Sequence, residues 1–181
     1  MNHVNAVAGR MSLRAPQRRA LEILEKLVEL VPPNKETDLP AALAEVRAAF
    51  PDVTGFEREF PSVCFALATG VGKTRLMGAF VADLHLARGL NNFFVLAPNL
   101  TVYQKLILDF TPNTPKYVFK GIAELPTHPP ILVTADDYET GRGVRDRHGW
   151  LPGVNEIVVN VFNVGKLNAE VRGGRAPRSL C

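Results

Sequence analysis

The stretch that decides the fold is FALATGVGKTRL, residues 65–76. An apolar run enters a turn threaded by Gly70 and Gly72, and Lys73 and Thr74 then open a helical pattern. Glycines let the chain curl until successive N–H groups point at one anion. A lysine at the start of the next helix adds a charge that reaches β- and γ-phosphates, and the following Thr hydroxyl can serve Mg²⁺. The helix contributes its own positive end. The full G-x-x-x-x-G-K-[ST] pattern asks for glycine at position 67, where Leu67 stands. The bland alternative is a Gly-rich turn beside a surface lysine, but the apolar run before and the helical run after favour a phosphate cradle. It comprises Thr69, Gly70, Val71, Gly72, Lys73, Thr74 and Arg75.

Outward from that stretch the chain alternates. LRAPQRRALEILEKLVELV (13–31) carries Leu21, Leu24, Leu27, Val28 and Val31 at helical spacing and stops at Pro32-Pro33. AALAEVRAAF (41–50) is a second short helix. SVCFALA (62–68) reads as a strand, with Cys64 packed as a small hydrophobe. TRLMGAFVADLHLARG (74–89) reads as a helix with Leu76, Phe80, Leu84 and Ala87 inward, closed by Gly89. NFFVLAP (92–98) is a strand, and TVYQKLILDF (101–110) a helix capped by Asn99 or Thr101. Apolar runs recur at KYVF (116–119), ILVTA (131–135) and EIVVNVFNV (156–164), and GKLNAEV is a weaker helix. Strands that are apolar at consecutive positions and alternate with helices predict an α/β fold: a parallel sheet covered on both faces. Residues 1–60 read as an N-terminal helical segment and 61–181 as the nucleotide-binding part.

The bulk properties agree with a soluble globular chain. Its 181 residues are 46% hydrophobic and 22% charged, with a net charge of +3. Two cysteines, Cys64 and Cys181, imply no disulfide framework. With no apolar leader and no run of membrane-spanning length, the expected location is cytoplasmic, with no membrane contact. Positive charge gathers late: Arg142, Arg145, Arg147, Lys166, Arg172, Arg175 and Arg178 face only Asp146, Glu156 and Glu170 from position 141 onward. Such a surface can meet phosphate, or can simply be solvated. His3, His85, His128 and His148 show no ligand spacing, so no transition-metal site is expected. Trp150 is either a partly buried anchor or a base-stacking platform.

The motif A-T-G-x-G-K-T after an apolar run resembles motif I of superfamily-two helicases and translocases. LATGVGKTRLMGAF is similar, more narrowly, to the helicase subunit of type III restriction enzymes and the related DEAD/DEAH-box proteins. Arg14, Pro16, Gln17 and Ala20 resemble the R-x-x-Q-x-x-A element upstream of motif I, whose glutamine reads the adenine edge. VLAPNLTVYQKLILDF resembles motif Ia, implying that Pro98, Asn99 and Thr101 face the nucleic-acid backbone. VNVFNVGKLN is similar to the strand and turn before motif II. The resemblance spans about residues 13–178. It implies a P-loop RecA-like domain, with ATP and Mg²⁺ as cofactors and Lys73 and Thr74 in the catalytic role. Gln17 and residues 69–75 would bind the nucleotide, and Thr74 the metal.

The implied activity is a helicase or translocase that couples ATP hydrolysis to movement on duplex DNA. The implied partners are a second RecA-like domain, a nuclease domain and a DNA methyltransferase subunit. The D-E-x-H tetrapeptide of motif II does not occur, and neither does a second motor domain. The chain is therefore expected to be the N-terminal part of a longer motor, with the first RecA-like domain incomplete at its C-terminus and inactive alone. Two alternatives stand beside this. ILVTADD (131–137) can end in a Walker B acid, making Asp136 or Asp137 the Mg²⁺ ligand of a small self-contained P-loop ATPase. Or the chain is a nucleotide-binding or interaction module without catalysis.

Overall fold

The computed structural model describes residues 3–33, 37–122, 125, 129–140 and 157–165. Residues up to Phe80 and residues from Val81 onward form two compact units.

The first unit is helical. Helix α1 (His3–Arg10) buries Val4, Val7 and Ala8 along one face. Ser12 then takes the left-handed conformation, φ 49°, and turns the chain into α2 (Ala15–Leu30). Pro16 sits in the first turn of α2, where its missing N–H costs nothing. Gln17, Ala20, Leu21, Leu27 and Val28 form its buried stripe. On its exposed face Arg18 and Glu22 pair at 3.2 Å. Helix α3 (Leu39–Ala49) starts on Asp38, whose carboxylate accepts from the Ala41 N–H at 3.1 Å. It buries Ala42 and Val46. Helix α2 packs against both α1 and α3.

Helix α4 (Lys73–Arg88) ends as predicted. Gly89 (φ 67°) donates to the His85 carbonyl at 2.9 Å, the bond of a left-handed glycine stop, and Leu90 donates to the Leu84 carbonyl at 3.3 Å. Its inward face differs from the predicted one. Leu76, Ala79, Val81, Ala82 and Asp83 are buried, while Phe80, Leu84 and Ala87 are only partly so. Leu76 is inward as expected, whereas Phe80, Leu84 and Ala87 lie at the margin of the stripe.

SVCFALA is the clearest departure. Residues 62–68 are not a strand, Val63 is 45% exposed, and Cys64 is exposed rather than packed. Phe65 is tied down by its ring contact with Phe80, centroids 5.1 Å apart. A run of high β-propensity becomes a strand only when its N–H and C=O groups find a ladder. Among the described residues this one has none.

The second unit holds the sheet. Strands β1 (Asn92–Ala97), β2 (Ile131–Val133) and β3 (Val158–Asn163) are parallel, in the order β1-β3-β2. Phe93 pairs with Val159, and Leu132 pairs with the same residue from the other side. The central strand β3 is buried at every position but Asn160, as a doubly flanked parallel strand requires. Asn160 donates its amide to the Phe93 carbonyl at 3.0 Å. The edge strand β1 alternates instead: Val95 and Ala97 are buried, whereas Phe94 and Leu96 are about half exposed. Phe94 lies stacked on Phe162, centroids 5.1 Å apart.

Helix α5 (Leu100–Phe110) packs against β1 and β3, burying Tyr103, Leu106 and Phe110. A short helix, α6 (Ala135–Thr140), follows β2. KYVF, read as an apolar run comparable with the strands, forms turns. The Val118 N–H is taken by the Asp109 carbonyl at 2.8 Å, and Phe119 inserts its ring edge-on against Phe110. The parallel strands with their helices make an α/β architecture of the RecA-like P-loop kind. No described helix is long and apolar enough to cross a membrane.

Candidate functional site

The turn between residues 68 and 73 has the curl that an anion cradle needs. Gly70 and Gly72 both lie in the left-handed region, φ 82° and 92°, where an L side chain is strained. A Cβ on Gly70 would meet open space, so only its backbone demands glycine there. A Cβ on Gly72 would stand 2.7 Å from Gln17 Nε2, so space as well as φ excludes a side chain. Thr69, Gly70, Gly72 and Lys73 are exposed, and Val71 and Thr74 partly so. Helix α4 begins on Lys73, and its first full bond runs from the Leu76 N–H to the Gly72 carbonyl at 3.1 Å. The Lys73 ammonium folds back over the turn and donates to the Ala68 carbonyl at 3.1 Å.

Two hydrogen bonds tie this turn and the start of α4 to the first turn of α2 and to the segment before it. Gln17 is 2% exposed. Its Oε1 accepts from the Arg14 N–H at 2.8 Å, and its Nε2 donates to the Gly72 carbonyl at 2.9 Å. One amide therefore serves the first turn of α2 and the glycine of the loop together. On the other side Arg75 donates through Nη1 to the Met11 carbonyl at 3.1 Å. No sequence signal marks Met11, because its contribution is a backbone carbonyl.

The donor set fits a polyphosphate with its cation. It offers curled backbone, a helix N-terminus, one exposed ammonium and the Thr74 hydroxyl position within residues 69–75. Among the described residues no cluster of three or more His, Cys, Asp or Glu can hold a metal ion by itself.

The second expected surface lies at the C-terminal end of β1. Pro98, Asn99 and Thr101 are exposed there. Asn99, rather than Thr101, caps α5: its Oδ1 accepts from the Val102 N–H at 2.9 Å. Lys105, one turn on, forms an ion pair with the buried Asp109.

Asp136 and Asp137 open α6. Asp137 Oδ2 accepts from both the Thr134 N–H, at 3.1 Å, and the Thr134 hydroxyl, at 2.7 Å. With the Asp137 N–H donating to the Thr134 hydroxyl at 3.4 Å, this is the reciprocal cap of a helix start. His85 closes α4, its Nδ1 lying 3.2 Å from the Leu90 carbonyl and 2.8 Å from Asn91 Oδ1. Trp150, His128, His148 and the basic residues Arg142, Arg145, Arg147, Lys166, Arg172, Arg175 and Arg178 lie outside the described residues.

In the comparison with protein families, the model described as "Type III restriction enzyme, res subunit" matches residues 10–170. No curated protein and no solved structure matches the chain.

Proposed function

The chain belongs to the family of the type III restriction enzyme res subunit, a helicase superfamily 2 family, and from that membership we propose that residues 69–75 bind the phosphates of Mg²⁺-ATP. The observation that carries the proposal is the loop itself: Gly70 and Gly72 in the left-handed region, leading into a helix that starts on Lys73. Backbone N–H groups of the turn and the positive end of α4 hold the phosphates. Lys73 leaves the Ala68 carbonyl to neutralise the β/γ oxygens, Thr74 meets the metal, and Thr69, Val71 and Arg75 line the turn. The bound nucleotide supplies the phosphoryl group whose hydrolysis drives the family's motors. In the whole protein the reading extends to movement along duplex DNA. Pro98, Asn99 and Thr101 face the phosphodiester backbone, and a second RecA-like domain, a nuclease domain and a methyltransferase subunit are the partners. Within the chain, 1–60 serves as the helical support of the ATP-binding part, 61–181.

Calorimetric titration of Mg²⁺-ATP into the chain and into Lys73→Ala tests the cradle. Lys73 is exposed, so the variant should fold normally and lose about a hundredfold in affinity, the scale of hydrogen bonds between charged groups. Equal affinity in both proteins would remove the proposal. For the DNA reading, hydrolysis by the full-length protein should rise on adding duplex DNA. DNA affinity should fall steeply with salt. A rate indifferent to DNA would dismiss the motor.

A further inference from the structure

We propose that Arg75 is a positioning residue that ties the start of α4 to the elbow between α1 and α2, and that α1 thereby supports the phosphate site. The proposal rests on the nucleotide-binding reading above. It extends that site to a helix which, save for Arg10, lies before the residues of the family match. Helix α1 ends in a closed turn. The Leu13 N–H donates to the Ala8 carbonyl at 2.9 Å, and the Ser12 N–H donates to the Gly9 carbonyl at 3.1 Å. These are the paired bonds of a Schellman stop, with Ser12 at its left-handed position, φ 49°. Glycine usually stands there, so a serine is held in place by its surroundings.

Neither bond of that stop uses the Met11 carbonyl, and Arg75 does: its Nη1 donates to it at 3.1 Å. A guanidinium at the end of α1 also meets the negative end of the helix. The elbow is a firm post, because Val7 is 1% exposed and Met11 3%. Arg75 is the third residue of α4. Successive helical side chains stand about 100° apart, so Lys73, Thr74 and Arg75 leave the axis in three directions. Holding one of them sets the rotation of the turn that carries the other two. The loop before α4 owes its curl to Gly70 and Gly72, residues that restrain the backbone least. An anchor one residue past Thr74 removes motion that those glycines allow.

Calorimetric titration of Mg²⁺-ATP into four variants tests the chain of support. Arg75→Met keeps an apolar stem at an exposed site and removes every donor. Val7→Ala loosens α1 itself, and Val46→Ala, equally buried in α3, is its control. Arg75→Met should lower affinity roughly fivefold. Val7→Ala should lower it about threefold, and Val46→Ala should bind like the wild type. The protein carrying both Arg75→Met and Val7→Ala should bind like Arg75→Met alone, because α1 acts through a bond already lost. Losses that multiply in the double variant, or a Val7→Ala protein with full affinity, would mean that Arg75 serves the site without α1 and would overturn the proposal. So would an Arg75→Met protein that binds like the wild type. An equal loss in Val46→Ala would reduce the effect to general loosening of the helices, with the same consequence.

Hydrogen exchange at residues 76–78 of the ligand-free proteins gives a readout that needs no nucleotide. Exchange there should quicken in Arg75→Met and in Val7→Ala but not in Val46→Ala, and unchanged protection in the first two would refute the positioning role. If the wild type bound no nucleotide, the nucleotide reading would fall, and the exchange experiment would still decide whether the elbow holds α4.

Discussion

SVCFALA and NFFVLA are close in composition, and each leads into a turn that opens a helix, yet only the second is a strand. NFFVLA, as β1, pairs along its whole length with β3. SVCFALA has no ladder among the described residues, and it leaves Val63 and Cys64 exposed. The turns that follow also differ. After β1, Asn99 spends its side chain on an α5 N–H, closing that helix start. Before α4, the corresponding position is Gly72, which has no side chain to spend on the helix start. The comparison teaches that a run's chemistry permits a strand while pairing creates it. On the reading proposed above, the uncapped start of α4 is where phosphate would sit.

The largest test of the first half of that contrast is a matched pair of truncations. Val95→Ala removes a buried side chain from β1 and should cost about 2 kcal/mol. Val63→Ala acts on the exposed run and should stay within about 0.5 kcal/mol. Urea unfolding midpoints measure both, and equal costs would erase the distinction. The two loop glycines offer the next contrast. Gly70→Ala should cost about 1 kcal/mol from its φ alone. Gly72→Ala adds a collision with Gln17 Nε2 and should cost visibly more. Melting temperatures in the reverse order would mean that Gln17 yields freely.

Asn99→Ala should destabilise the chain by about 1 kcal/mol through the lost cap of α5. A silent substitution would place water in the role given to the side chain. The smallest effect is one of pH. Burial pushes the Tyr117 phenol up to about 12 from its ordinary 10.0. The unfolded chain therefore releases that proton first. Stability from this group is complete below pH 10 and declines as pH rises toward about 12. Tyr117→Phe should flatten that decline between about pH 10 and about pH 12 in urea midpoints. An identical slope would assign it to other groups.

Much of this was legible beforehand, for reasons that differ by residue. Helices α2 to α5 were read from the sequence, with Asn99 and Gly89 as punctuation, whereas Asp38 as the cap of α3 was not singled out. The loop glycines were readable because few other reasons explain Gly70 and Gly72 so close to Lys73-Thr74. Helix α1 was not foreseen: NHVNAVAGR is short and polar, and Val4, Val7 and Ala8 gain their meaning only by packing on α2. The engagement of Gln17 was hidden for a similar reason. Its partner, the Gly72 carbonyl, is a backbone atom lying fifty-five positions away. KYVF has strand composition, but Val118 and Phe119 are buried from a turn that Asp109 holds.

The strand order has a consequence for how the molecule is made. Among the described residues the last strand, β3, is the middle of the sheet, and β1 and β2 pair with it and not with each other. As the polypeptide leaves the ribosome, both outer strands emerge early and wait, apolar and unpaired, until residues 158–163 arrive between them. The protein's most aggregation-exposed moment is therefore set by synthesis, and shortening the delay before β3 appears should protect the newborn chain more than strengthening either outer strand.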